Sequence, residues 1–357
     1  MHYLCPNRIT ELAVAVISAS RVFLRSSFRT SVNSASRAAA TTQPPRRPSF
    51  IDRFPEKWRP FLRLVRIEGQ AGTLTLFWPC GWAIGLSTTS LVPDLSTLLV
   101  FAVGSFLLRC AACVINDVVD KDIDAQVRRT SQRPLVVGDV STTGALVLGG
   151  ALLTTAGCVV LPFLNSQCWP LAAFSVVPVC LYPLAKRYTS LPQLPLGIAL
   201  NWGVPVAWVH LNGADGLLTL AALYAGSVAY TMIYDTDKED DRLAGVGSAA
   251  LLFERHPKRF LFTVATVSFG CLGAACVAAG ADVAAAAGLG VTALYVFRQI
   301  GAVRLDDAAD CGRRFKGIIM AGGVLFGAVL LDGSVRASRR KRVEQDDWTG
   351  HAEPQSV

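Results

Sequence analysis

Residues 109–135 read RCAACVINDVVDKDIDAQVRRTSQRPL. The stretch begins as the end of an apolar run and turns acidic with no Pro or Gly to interrupt it. Asn116, Asp120 and Asp124 follow at i, i+4 and i+8, and Asp117 stands three positions before Asp120. On a helix all four lie on one side, stacked over two turns. Four oxygen-bearing side chains on one face repel one another unless something positive joins them. A hard divalent cation, Mg²⁺ carrying a phosphate, is the natural occupant. A solvated helix end with surface acids is the plainer alternative. Against it, the apolar run leads straight into the cluster, and a second acidic cluster appears later in the chain.

Composition sets the surroundings. Of 357 residues only 17% are charged, and the mean hydropathy is +0.42. A soluble domain carries about 25% charged residues. Successive long apolar runs instead give an all-α, polytopic membrane protein. The net charge of +8 then reports on loops and lipid headgroups. No zinc spacing, recognition helix or aromatic–basic sheet pattern suggests nucleic acid. The ten cysteines fall mostly inside apolar runs and read as small buried hydrophobes. That holds for the C-x-x-C of Cys110 and Cys113, which lacks a soluble βαβ context. The four histidines form no ligand cluster, and His210 reads as interfacial.

The chain divides into three parts: 1–60, 61–331 and 332–357. In the first, Arg8, Arg21, Arg25, Arg29 and Arg37 alternate with Ser, Thr and Ala, and Glu11 is the only acid before Asp52. An Arg-rich amphipathic helix over 12–31 has transit-peptide character; a plain basic tail is the alternative. A Pro-rich linker follows at 41–48. The last part is a polar tail.

The middle part holds about nine candidate spans: 71–91, 97–118, 141–161, 168–184, 194–210, 216–235, 260–280, 282–297 and 317–331. With that count, the connections after even-numbered spans share the side of the N-terminus. They carry Lys121, Arg128, Arg129 and Arg133; Lys186 and Arg187; Lys238, Arg242, Arg255, Lys258 and Arg259; and Arg298, Arg304, Arg313, Arg314 and Lys316. The remaining connections carry no Lys or Arg. The asymmetry places the charged face inward. Arg336, Arg339, Arg340, Lys341 and Arg342 in the tail are the exception.

The charged face also carries the second cluster, YDTDKEDD at 234–241, at the end of the sixth span. Asp235 and Glu239 are four apart, as are Asp237 and Asp241. Arg109 lies within the second span, two turns before Asn116, where an intramembrane charge is costly and calls for a functional partner. Two acidic clusters on one basic face suit a diphosphate. Metal ions held by carboxylates bridge its oxygens, and Arg or Lys neutralises the rest. An allylic diphosphate held so can ionise, with its isoprenoid tail between the helices.

On these residues the chain resembles the UbiA family of intramembrane prenyltransferases, in its ubiquinone-synthesis branch. The likeness runs over 61–331. It rests on NDVVDKDID at 116–124 with Arg129-Thr130 and Arg133-Pro134-Leu135, and on YPLAKRYTSLPQ at 182–193 with Gly197. Leu62 to Arg66, Gly72, Pro79 and Leu108-Arg109 add to it, as does Tyr234-Asp235-Thr236 with DKEDD and Gly245 to Ser248. The resemblance implies about nine helices around a central cavity, with both Asp-rich motifs over its mouth. It implies Mg²⁺-dependent transfer of a polyprenyl group from polyprenyl diphosphate to a ring carbon of 4-hydroxybenzoate. An acceptor that is another phenolic acid of secondary metabolism is the alternative. Asn116, Asp120 and Asp124 are the first metal set; Asp235, Asp237 and Asp241 are the second, with Asp235 and Glu239 also counted as catalytic. Arg66, Arg109, Arg129, Arg133, Lys186 and Arg187 are the candidates for diphosphate or carboxylate contacts. The implied setting is the mitochondrial inner membrane, with the charged loops facing the matrix, lipid around the helices and other quinone-synthesis enzymes as partners. A departure stands at Thr236, which runs directly into Asp237. The family's usual insert of about five residues there turns an ideal helix by roughly 500°. Gly69-Gln70, Gly247, Ala249 and Lys316 also depart from the family's usual residues.

Overall fold

The computed structural model describes residues 49–92, 94–127, 130–185, 188–233, 252–253 and 256–350. The chain divides into Met1–Arg53 and Phe54–Val357. Of the first unit, Phe50–Arg53 form a 3-10 turn in which the Ser49 amide donates to the Asp52 carboxylate at 2.9 Å.

The second unit is helical, with no strand among the described residues. The helices are α1 (Arg59–Leu64), α2 (Ala71–Ser87), α3 (Leu95–Val119), α4 (Lys121–Asp124), α5 (Pro134–Val137), α6 (Thr142–Val160) and α7 (Trp169–Phe174). They continue with α8 (Val176–Ala185), α9 (Gln193–Leu200), α10 (Gly203–Asn212), α11 (Leu217–Met232), α12 (Pro257–Ala278), α13 (Val283–Ala302) and α14 (Ala308–Gly350). Seven stretches among the described residues are long and apolar enough to cross a membrane. α2 and α11, of 17 and 16 residues, are shorter. The approximate count of nine comes from adding these two to the seven.

Proline explains why two spans are bent pairs rather than the single helices expected. Pro205 cannot donate to the carbonyl four residues back and its ring crowds it. That carbonyl belongs to Asn201, where α9 ends. The Asn201 carbonyl accepts instead from the Val204 amide at 2.9 Å. The Asn201 side chain ties the bend to its surroundings by donating to Gly197 O at 2.7 Å and to Thr231 Oγ at 2.8 Å. Pro178 stands in the same relation to Phe174, the last residue of α7. At the other end of α3, Asp94 is the N-cap. Hydrogen bonds from the Ser96 and Thr97 hydroxyls hold its carboxyl down at about 2.

The main core lies where α2, α11, α12 and α14 meet. Trp82 and Tyr230 stack edge to face at 5.4 Å. The Trp82 indole donates to Gly322 O at 2.9 Å, and the Tyr230 hydroxyl to Ile318 O at 2.7 Å. Val291 and Leu294 on α13, and Leu146 and Val147 on α6, are exposed, as residues facing lipid are.

α14 continues unbroken through the polar tail to Gly350. Its Asp332 is fully buried and accepts from the Asp282 and Ala285 amides at the start of α13. Arg336 pairs with Asp332 at 2.9 Å and donates to Ala279 O and Leu86 O. Arg339 pairs with Asp282 at 2.6 Å. These two tail arginines are therefore tied to the bundle's own acceptors, which accounts for part of the charge exception.

Candidate functional site

The acidic end of α3 keeps its helical register past the helix boundary. The backbone eases at Asp120 (φ −89°, ψ 4°), yet the Asp120 amide bonds Asn116 O and the Asp124 amide bonds Asp120 O, each at 2.8 Å. Asp117, Asp120 and Asp124 are accordingly buried together, whereas Asp122 is exposed. Carboxylates at a helix C-terminus stand against the negative end of its dipole. Three buried there need cations.

Two arrive from the chain on either side. Arg66 Nη2 meets Asp117 Oδ1 at 2.6 Å, and Arg66 Nη1 donates to Cys113 Sγ at 3.3 Å. Arg133 Nη1 reaches the same Asp117 Oδ1 at 2.9 Å and also bonds Asp124 Oδ2. Local structure delivers both. Arg66 follows α1 in the left-handed region, φ 53°. There the Ile67 amide closes back on Leu62 O at 3.2 Å, a helix stop that glycine ordinarily fills. Arg133 is brought back by a turn in which the buried Thr130 hydroxyl donates to Asp124 O at 2.9 Å. A small second core fixes both approaches: Leu64, Val114, Leu135, Val140 and Ala145 pack together. Leu64 is two residues from Arg66, and Leu135 two from Arg133.

Arg109 lies further down α3. Its guanidinium occupies the space that a side chain at Gly72 would need. Its Nη1 is buried with no partner among the described residues. Below it, an apolar cavity of about 150 Å³ opens between α2, α3, α6, the α7–α8 pair and the α9–α10 pair. Its walls on α3 run from Leu108 to Val100, about 12 Å of helix axis. Gly104, Ala156, Gly157 and Ala173 keep it wide.

Of the site residues read from the sequence, the structure brings together Asn116, Asp120, Asp124, Arg66 and Arg133, with Arg109 toward the cavity. Arg129, Lys186, Arg187, Asp235, Asp237, Glu239 and Asp241 lie outside the described residues. Among the described residues no three acidic, His or Cys side chains converge as a ready-made metal group, and Arg133 stands on Asp124. The donors themselves, Asn116, Asp120 and Asp124, are hard oxygens on one helix face, the two carboxylates buried and Asn116 half-buried, and that donor chemistry suits Mg²⁺.

The UbiA prenyltransferase family model matches residues 76–328. The chain belongs to the UbiA prenyltransferase family. It is 37% identical, over 321 residues, to the mitochondrial 4-hydroxybenzoate polyprenyltransferase of Drosophila melanogaster, across 88% of this chain and 82% of that protein. The fold matches the apo UbiA homolog of Aeropyrum pernix K1 with a TM-score of 0.61 at 24% identity, over 75% of this chain and 98% of that one. It also matches the Archaeoglobus fulgidus UbiA homolog bound to GPP and Mg²⁺, with a TM-score of 0.58 at 13% identity, over 78% and 99%.

Within this UbiA protein, sequence reasoning placed Asp117 on the acidic face but did not assign it a role. In the structure it is the meeting point of two arginines. The one sequence signal was its offset of three from Asp120, which puts it on the edge of the face, toward neighbouring segments. Thr130 entered the sequence reading only as part of the Arg129-Thr130 pair in the family likeness, with no role of its own.

Proposed function

We propose that this chain transfers a polyprenyl group from polyprenyl diphosphate to a ring carbon of 4-hydroxybenzoate, a step of ubiquinone biosynthesis. The observation that carries the reading is the 37% identity extending over 82% of a protein named for that reaction. The site's chemistry agrees with it. Arg66 and Arg133 hold the diphosphate from the side of the acidic helix end, and the unpartnered Arg109 Nη1 offers a donor to a substrate oxygen. The cavity below takes the first part of the isoprenoid tail, and its apolar walls keep water from the allylic carbon once the pyrophosphate departs.

Asn116, Asp120 and Asp124 are the residues that would hold Mg²⁺, together with acids of the second cluster. Mg²⁺ bound there would neutralise charge that builds on the leaving pyrophosphate. The ring carbon ortho to the phenol hydroxyl would attack C1 of the prenyl group as its bond to the pyrophosphate oxygen breaks. The proton on that ring carbon would pass to the released pyrophosphate or to an acid of the second cluster, restoring the aromatic ring. We place the protein in the mitochondrial inner membrane, with the acidic helix end and basic loops on the matrix side and residues 1–60 acting as a transit segment and linker.

The test is mass analysis of products made by purified protein in liposomes from a series of isoprenyl diphosphates, with 4-hydroxybenzoate and other phenolic acids offered in parallel. Prenylated 4-hydroxybenzoate is the expected product. Preference for another phenol would overturn the acceptor, and no prenylated aromatic at any chain length would overturn the reaction.

A further inference from the structure

One carboxylate oxygen serves two guanidiniums: Asp117 Oδ1 accepts from Arg66 at 2.6 Å and from Arg133 at 2.9 Å. Two like charges do not gather at one point unless an opposite charge holds them, and Asp117 is buried to 2% exposure between them. That oxygen is fully engaged with arginine. Arg133 is different. A single nitrogen, Nη1, spans Asp117 and Asp124, while its side chain is 21% exposed. Its Nε and Nη2 donors have no partner among the described residues. Asp124 therefore has arginine where a metal ligand would have metal, and Arg133 has donors to spare.

We propose that Asp117 is a positioning residue rather than a metal ligand, gathering Arg66 and Arg133 into a two-guanidinium cradle for the diphosphate, and that Arg133 is the resident counter-ion of Asp124. Entry of the divalent cation frees Asp124 from Arg133. The released guanidinium, still tethered by Asp117, turns its donors to the diphosphate oxygens. No proton moves and no bond other than these ion pairs changes. The arrangement keeps Asp117 and Asp124 compensated when no metal is bound, and couples metal arrival to assembly of the anion site. It rests on the proposed diphosphate chemistry, but its test does not require prenyl transfer.

The experiment uses the full chain in detergent and two affinities. Mn²⁺ binding is measured by electron paramagnetic resonance with no diphosphate present. Binding of geranyl thiolodiphosphate, which does not ionise, is then measured at fixed free Mn²⁺. Arg133→Gln removes a competitor of the metal and a ligand of the anion. Mn²⁺ should bind about threefold tighter and the diphosphate about tenfold weaker, opposite signs that general structural damage would not give. Arg66→Gln should weaken only the diphosphate. Asp117→Asn should cost the diphosphate about tenfold while holding Mn²⁺ affinity within about threefold. Loss of Mn²⁺ affinity in Asp117→Asn with an unchanged Arg133→Gln would make Asp117 a ligand and overturn the proposal. If Asp117→Asn does not fold, the opposite signs in Arg133→Gln decide alone. Wild-type protein that binds no Mn²⁺ would overturn this inference together with the metal site. Wild-type binding with unchanged affinities in Arg133→Gln would overturn this inference only.

Discussion

Arg66 and Asp117, fifty-one positions apart, meet at 2.6 Å, and Arg66 does so from a left-handed backbone at φ 53°. A non-glycine residue in that conformation costs about 1 kcal/mol or more. The side chain offsets that cost through its ion pair with a buried carboxylate.

Two substitutions at this position separate backbone from side chain. Arg66→Ala loses the ion pair and keeps the strain. Arg66→Gly loses the ion pair and relieves the strain. The glycine variant should be more stable than the alanine variant by about 1 kcal/mol, while prenyl transfer falls equally in both. Thermal unfolding in detergent beside turnover reads the two effects. A glycine variant no more stable than the alanine variant would show that the turn carries no strain.

Most of the membrane fold was legible in the sequence, because apolar length and loop charge are direct consequences of the bilayer. The acidic face was legible for the same kind of reason: spacing on a helix fixes direction, and Asp122 is exposed as its offset from Asp120 requires. Pairings between distant segments were not. Nothing local to Arg66 says that its partner is Asp117, since that depends on Leu64 and Leu135 packing beside Val114. The bends at Ser175 and Asn201 were foreshadowed by Pro178 and Pro205, but proline alone does not say whether a span kinks or divides. Asp332 and Arg336 had only a helical i, i+4 spacing to mark them, and their other partners come from α2, α12 and α13.

The cavity predicts a chain-length effect. A Cβ added at Gly157 would meet only the flexible end of Leu161, at 4.0 Å, and Gly157 lines the cavity, so a Phe there should project into it. Gly157→Phe should keep activity with geranyl diphosphate and lower it for long-chain diphosphates on the order of tenfold, equivalent to ~1.4 kcal/mol of lost fit. Product masses from competing donors check it. Equal loss at every length would mean the tail does not run past Gly157.

Asp94 gives a pH dependence at the opposite end of α3. Its folded carboxyl titrates at about 2, below the roughly 3.9 of an unfolded Asp. The cap's contribution is therefore complete above the unfolded value and is lost as pH falls from about 4 toward 2. Asp94→Ala should remove about 1 kcal/mol of stability near neutrality, and the gap to wild type should shrink across that acid window. Denaturant midpoints measured at several pH values decide; a gap that does not change with pH would mean the carboxylate is not what caps the helix.

The acidic helix end yields the sharpest test. Asp120 and Asp124 are buried on the helix face that half-buried Asn116 shares, while Asp122 is exposed. Asp120→Ala or Asp124→Ala should lower turnover on the order of 10²-fold or more, the scale of deleting a transition-state contact. Asp122→Ala should leave turnover near wild type and change stability by no more than about 0.5 kcal/mol. The two buried positions should also differ from each other. Asp124 is paired with Arg133, so its loss leaves that guanidinium without one of its carboxylates, a destabilisation that raised Mg²⁺ does not repair. Raised Mg²⁺ should restore part of the turnover of Asp124→Ala, through the ligands that remain, without restoring its melting temperature. Expression-matched protein, assayed in liposomes across a Mg²⁺ titration, supplies both numbers. Equal losses in all three variants would mean that the register does not continue past Asp120, and full activity in Asp120→Ala would remove the acidic helix end from the reaction.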